Sequence, residues 1–247
     1  MKSDPEEAEV DEVKPHSKAV PPPELVSRLV DAFNNGAKLS CGSKDPNSLV
    51  EWTHFLNECK AEYIDVSGRD LNCLPACLCI YLNFEKPGKD VAAKMRERLA
   101  DWCANFVEFP PHVFEFENAA DDGEGTQESA IHRIRCRGFI GHWVLNAFAG
   151  VANARVWLIQ NDQVPTCFIP PSVKRGDTSA AKFEMVLLLT YPSGKGGSEK
   201  GHFQLCVARA SHQEWVQRYS AGNRFVAENK QNIVSHPRRA GKKQRTQ

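Results

Sequence analysis

The sequence lacks long hydrophobic runs, a leader-like start and an excess of charge of either sign. No stretch approaches the roughly 18 consecutive apolar residues that a membrane-spanning helix needs. The first residues are mainly acidic, whereas a secretory signal begins with cations and continues with an apolar core. Lys and Arg number 31 and Asp and Glu number 31, so the body as a whole has no strong field to attract nucleic acid or anionic lipid. We therefore expect a cytoplasmic protein without a membrane partner.

The cysteines also lack the even number that a set of disulfides requires. There are 9 of them in a chain without a secretory signal, which favours free thiols in a reducing compartment. Hydrophobic residues at 41% and charged residues at 25% are typical of a folded protein, so neither a disordered nor a fibrous chain is indicated. The length suits one sizeable domain.

Both ends of the chain differ in composition from its middle. Residues 1–23 combine acids with a proline run and lack apolar periodicity, so we expect a disordered tail. Residues 24–230 are expected to form the domain, and residues 231–247 a disordered basic tail. This tail is a candidate nuclear-import signal or nucleic-acid contact, although a merely solvated tail would have the same composition. Any nucleic-acid partner is expected there and nowhere else.

The spacing of apolar residues predicts helices and strands along the middle of the chain. Helical spacing is found at residues 25–33, 49–56, 74–82, 90–106 and 142–151. Strand-forming residues are concentrated at 63–66, 155–159, 183–191 and 202–209. A Gly-rich loop predicts that the last two strands form a hairpin. We expect a mixed α/β fold with a small, mostly antiparallel central sheet flanked by helices.

Cys73 lies where a thiol can become a strong nucleophile. It follows the turn of residues 68–72 and opens a predicted helix, and Pro75 supports this placement because proline is tolerated in the first helical turn. A helix N-terminus lowers the pKa of a thiol. Unpaired backbone N–H groups at the same place can bind the oxyanion that forms when a carbonyl is attacked. Cys73 is therefore our candidate nucleophile.

His202 is the candidate base for this thiol. It follows a flexible loop and begins a predicted strand, where an imidazole can lie at the rim of a cleft. Because side chains alternate along a strand, Gln204 shares the face of His202. We expect the Gln204 amide oxygen to accept the imidazole N–H and so to orient the ring.

Three segments, in order, resemble the motifs of the ovarian tumour (OTU) family of deubiquitinases. Asp70-Leu71-Asn72-Cys73-Leu74 is similar to the nucleophile motif Asp-Gly-x-Cys-Leu of that family. Gly201-His202-Phe203-Gln204 is similar to its terminal motif of His, an aromatic residue and Asp or Asn. Residues 138–149 followed by 156–159 are similar to its block of Trp-Gly-Gly, helix and strand. The resemblance spans residues 63–207, and motifs in the correct order are more specific than one alone.

The resemblance implies a papain-like cysteine peptidase of the OTU type, acting as a thiol-dependent ubiquitin hydrolase. It implies Cys73 as nucleophile, His202 as base and Gln204 as the residue that orients the imidazole. Asp70 would support the oxyanion loop, in addition to the role of turn former or helix cap that its position indicates. The expected partners are ubiquitin or a ubiquitin-like modifier and ubiquitinated proteins. No metal and no organic cofactor is expected.

The chain departs from the family pattern at three positions. Leu71 stands where the family has glycine, Pro75 where it usually has an aromatic residue, and Gln204 where it has Asp or Asn. Leucine resists backbone conformations that glycine reaches, and Gln204 lacks the charge that stabilises an imidazolium. Two alternatives therefore stay open: a catalytically impaired ubiquitin-binding relative, and a nucleic-acid-associated protein that uses the basic tail.

A zinc site is a further alternative that the cysteines raise. Its ligands would be Cys73, Cys77 and Cys79 together with His132 and Cys136. The spacing of these residues matches no zinc-finger pattern. We expect Cys77 and Cys79 to be core residues instead.

Overall fold

The structure, a computed structural model, describes residues 15–41, 49–66, 71–82, 89–105, 126–136, 138, 140–170, 181–191 and 201–214. Helices α1 to α6 are Pro23–Asn34, Leu49–Glu58, Cys73–Tyr81, Lys89–Asn105, Gln127–Arg135 and Val144–Ala152. Strands β1 to β5 are Ala61–Ile64, Ala154–Ile159, Thr166–Phe168, Phe183–Thr190 and His202–Ala208. A 3-10 helix, Ser17–Ala19, precedes α1. Of the helices in these ranges, none is both long and apolar enough to cross a membrane.

The strands form one sheet in the order β1-β5-β4-β2-β3. β5 lies between β1 and β4 and is antiparallel to both, and β3 is antiparallel to β2. β2 and β4 are parallel. The predicted hairpin is confirmed, because β4 pairs with β5 and Thr190 lies opposite His202. The predicted α/β class with a small, mostly antiparallel sheet is also confirmed.

Helices cover both faces of the sheet, because side chains alternate along each strand. One face packs on α3, α4, α5 and α6 through the strand residues Val156, Leu158, Met185, Leu187, Leu189, Phe203, Leu205 and Val207. The other face packs on α1 and α2 through Trp157, Ile159, Val186, Leu188 and Cys206. The core on the α3 side is the larger of the two. β5 therefore contributes to both cores.

The segment before α1 packs on the domain. The backbone N–H of His16 donates to the Tyr81 carbonyl at 2.7 Å, and Ala19 is fully buried. The 3-10 helix contacts β5. Residues 15–23, which the composition assigns to a disordered tail, thus belong to the packed body. Residues 1–14 and 215–247, including the predicted basic tail, lie outside the described residues.

The predicted elements match α1, α3, α4, α6, β1, β2, β4 and β5 to within about two residues at most ends. α2 also matches the predicted helix of residues 49–56, and the Gly-rich loop before β5 lies outside the described residues. The apolar spacing does not predict α5 or β3. β3 has 3 residues, too few for a periodic pattern, and α5 has only Ala130, Ile131 and Ile134 buried.

Candidate active site

The first turn of α3 presents Cys73. Asn72 is the N-cap residue, and the first helical hydrogen bond runs from the Ala76 N–H to the Asn72 carbonyl at 2.9 Å. Pro75 falls in this turn, where its missing N–H removes no helical bond. Every residue of α3 is buried, and the helix packs against β5 and α4. Packing therefore fixes Cys73, while the N–H groups of the first turn have no acceptor within the helix.

The Cys73 thiol is buried, since only 5% of the residue is exposed. Burial raises the pKa of the thiol above its ordinary value, because a thiolate loses hydration. Hydrogen bonds with the backbone of Phe203 and Leu74 and the positive charge of Arg96 partly oppose this rise. The thiol is protonated at neutral pH and needs a base to become a nucleophile. α3 packs against β5, the strand that begins with His202.

The other two thiols of α3 are core groups, as expected. The Cys77 thiol donates to the Phe203 carbonyl at 3.6 Å, and burial raises the pKa of Cys77 well above its ordinary value. Burial also raises the pKa of Cys79 to about 12. Neither thiol has the helix N-terminus that Cys73 has.

His202 is the first residue of β5, and 20% of its side chain is exposed. Burial lowers the pKa of the imidazole, because an imidazolium loses hydration, and the Asp65 carboxylate partly opposes this effect. The ring is therefore neutral at neutral pH. A neutral imidazole can accept a proton, which is the chemistry that a buried thiol needs.

Gln204 contacts the imidazole from the same face of β5 and is fully buried. Its amide oxygen accepts a hydrogen bond from the Val66 N–H at 2.8 Å, and its amide nitrogen donates to Asp65 Oδ1 at 2.8 Å. The same nitrogen lies 2.6 Å from His202 Nε2. Because an amide nitrogen only donates, Nε2 is the acceptor and the neutral ring carries its proton on Nδ1.

The polarity of this contact is the reverse of the expected one. The sequence predicts an amide oxygen that accepts the imidazole N–H, but the backbone N–H of Val66 occupies that oxygen. A buried N–H without an acceptor is costly, so the backbone of Val66, two residues after β1, fixes which end of the Gln204 amide faces His202. The contact between positions 204 and 202 is present, and its direction follows from this residue in another segment of the chain.

Asp65 is a residue of this site that the sequence does not identify. Its Oδ1 lies 4.0 Å from His202 Nε2 and accepts the hydrogen bond from Gln204. It follows β1, whose antiparallel pairing of Ile64 with Leu205 brings it opposite Gln204. The sequence places this acid within the predicted strand of residues 63–66. Its role could not be recognised without knowing that this segment pairs with a segment 139 residues away.

The loop before Cys73 has the backbone shape typical of glycine although it contains leucine. Leu71 adopts a φ of 57°, in the left-handed region. Asn72 is buried, and its side-chain oxygen accepts a hydrogen bond from Arg96 Nε at 2.6 Å. Asp70, predicted to support this loop, lies outside the described residues.

Within the described ranges, no group of three or more His, Cys, Asp or Glu side chains is arranged to hold a metal ion. Cys136 and His132 contact each other at the end of α5, with Sγ 3.3 Å from Nε2. Both are exposed. The five residues considered for zinc therefore do not form one site.

Comparisons with known proteins find a likeness to solved structures. No protein-family model matches the chain, and no curated protein matches it. Among solved structures, the chain is similar to one titled "Structure of OTUD1 OTU domain", with 14% sequence identity and a TM-score of 0.40. The match covers 73% of this chain and 98% of that one. The site residues, rather than this likeness, support the function proposed next.

Proposed function

We propose that the protein is a cysteine-dependent isopeptidase that removes ubiquitin or a ubiquitin-like modifier from conjugated proteins. The observation that supports this most is the Cys73 thiol at the N-terminus of α3, a helix that packs against β5, the strand that begins with the neutral His202. The resemblance of the surrounding segments to the OTU motifs supports ubiquitin or a relative as the modifier.

In the proposed reaction, His202 takes the thiol proton and the Cys73 thiolate attacks the isopeptide carbonyl at the modifier's C-terminus. N–H groups of the first turn of α3 donate to the tetrahedral oxyanion. The imidazolium returns its proton to the leaving lysine amine as the C–N bond breaks, which leaves a thioester. Water, deprotonated by His202, then attacks the thioester and regenerates the thiol.

The base requires a different tautomer from the one that Gln204 holds. If Nδ1 is to take the thiol proton, the ring's own proton must be on Nε2. Asp65 Oδ1 lies 4.0 Å from Nε2 and must move closer to accept that proton. The Gln204 amide nitrogen must then release Nε2 while its oxygen stays bonded to Val66. Activation therefore shifts the partner of Nε2 from Gln204 to Asp65.

A second candidate function is a catalytically impaired protein that still binds ubiquitin. The donor contact from Gln204 favours it, because an N–H group facing Nε2 opposes the imidazolium on which the reaction depends. The buried, protonated thiol of Cys73 favours it as well.

A ubiquitin probe with a thiol-reactive group at its C-terminus distinguishes the two functions. We expect it to label the wild-type protein and the control Cys136→Ala, which removes an exposed thiol, but not Cys73→Ala. Intact-mass measurement identifies the adduct. Reversible ubiquitin binding without an adduct would establish the impaired protein instead. If the protein neither binds ubiquitin nor is labelled, both functions are excluded.

A further inference from the structure

We propose that Arg96 is a positioning residue that holds Leu71 in its left-handed conformation and so sets the position of Cys73. The inference deepens the proposed function and rests on it. Arg96 acts through the backbone that leads into α3 and, through its charge, on the thiol itself.

Arg96 is a buried side chain of α4 that ties together three parts of the chain. Only 2% of it is exposed. On one side Nη2 donates to the Leu71 carbonyl at 2.5 Å and Nε donates to the Asn72 side-chain oxygen at 2.6 Å. On the other side Nη1 donates to the carbonyls of Ile134 at 2.9 Å and Gly138 at 3.0 Å. The guanidinium is planar and its N–H donors have a fixed geometry, so it fixes the conformation of the two residues before Cys73.

Leu71 needs such support because its conformation is unfavourable by itself. At a φ of 57° the side chain of an L-residue crowds its own backbone, a strain that glycine avoids. Residues in such conformations persist only when their surroundings determine them. In the OTU motif that this segment resembles, glycine stands here and reaches the conformation without help. In this chain, the hydrogen bond from Arg96 to the Leu71 carbonyl stabilises the left-handed conformation that glycine would adopt without strain.

The charge of Arg96 acts in the same direction as its hydrogen bonds. The guanidinium favours the thiolate of Cys73 and so opposes the effect of burial on the pKa of that thiol. A substitution that keeps the positive charge but loses the planar set of N–H donors therefore separates the effect of the charge from the effect of the hydrogen bonds. Lysine is that substitution, because an ammonium cannot reproduce the planar set of donors.

The test is a rescue experiment on Arg96→Lys, read out by alkylation of Cys73 with iodoacetamide across pH and by ubiquitin-substrate turnover. We expect Arg96→Lys to lower both rates about 10-fold, because small displacements of a reacting group are costly. Adding Leu71→Gly should restore most of the loss, because glycine adopts this left-handed conformation without strain and needs less support from Arg96. Adding Asp162→Gly, which changes another residue at a φ of 57°, should restore nothing. Arg98→Lys, an exposed arginine of α4, is the matched control and should behave as wild type.

Absence of rescue by Leu71→Gly, or equal rescue by Asp162→Gly, would overturn the inference. Should Arg96→Lys not fold, Leu71→Val tests the same point with Arg96 intact. A β-branched residue resists the left-handed region, so Cys73 alkylation should slow, and an unchanged rate would overturn the inference. Rescue of alkylation in a protein without turnover would refute the proposed function and leave the role of Arg96 standing.

Discussion

Asp65 and Gln204 influence the charge of the same imidazole in opposite directions. A carboxylate near Nε2 favours the imidazolium, whereas an amide N–H aimed at Nε2 disfavours it. Asp65 is largely exposed, at 79% of its side chain, so salt weakens its effect. These two side chains thus adjust the proton affinity of His202, whose pKa is lowered most by burial.

Two substitutions should therefore move the pKa of His202 in opposite directions. Asp65→Asn removes the charge that raises this pKa, so the pKa falls further and the acid limb of kcat/KM moves to lower pH. The plateau should also fall about 10-fold, because the acceptor for the Nε2 proton is weaker. Gln204→Glu replaces the donor by a carboxylate that can still accept the Val66 N–H, so the pKa rises and the acid limb moves to higher pH.

NMR titration of the His202 ring protons checks both directions without reference to turnover. Asp31→Asn, which removes an exposed carboxylate on α1, is the control and should leave the titration unchanged. Shifts of the same sign for Asp65→Asn and Gln204→Glu would contradict the opposed roles.

At the scale of elements, the periodicity of apolar residues predicts individual helices and strands, but it does not predict contacts between segments that are distant in the chain. α3 was predictable because residues 74–82 form one apolar run, and β5 because residues 202–209 alternate beside a Gly-rich loop. The position of Cys73 in its helix was predictable for the same reason. The direction of the Gln204 amide was not, because it is set by the N–H of Val66, which follows β1 and is 138 residues away in the chain. In the sequence, Arg96 resembles any other charged residue of a helix, and only the structure shows that it is buried.

The packed segment before α1 gives a prediction about stability. Deleting residues 1–20 removes the buried Ala19, the hydrogen bond from His16 to Tyr81 and the contact of the 3-10 helix with β5. Deleting residues 1–14 keeps all three. We expect the longer deletion to lower the free energy of unfolding by about 1 to 2 kcal/mol relative to the shorter one. Urea denaturation of the two variants measures the difference, and equal midpoints would show that the segment adds nothing.

For the whole molecule, the basic C-terminal tail is expected to serve location or nucleic-acid binding rather than catalysis. Deleting residues 236–247 should leave kcat and KM on a small ubiquitin substrate unchanged, because these residues lie beyond β5 in the chain. Nuclear accumulation of a fluorescent fusion and retention on a nucleic-acid column should both be tested with the same deletion. A marked fall in turnover on the soluble substrate would mean that the tail contributes to the domain.

The pairing of β1 with β5 has a consequence for the biosynthesis of the protein. Asp65 and Gln204 are 139 residues apart, and Cys73 belongs to the early part of the chain. During translation Cys73 leaves the ribosome long before β5, the strand that carries His202, and such long-range pairing forms late in folding. In the proposed mechanism the thiol has no imidazole to take its proton until β5 inserts between β1 and β4. On that mechanism, a nascent or prematurely terminated chain carries Cys73 in an inert state, and hydrolysis begins only when the central strand is complete.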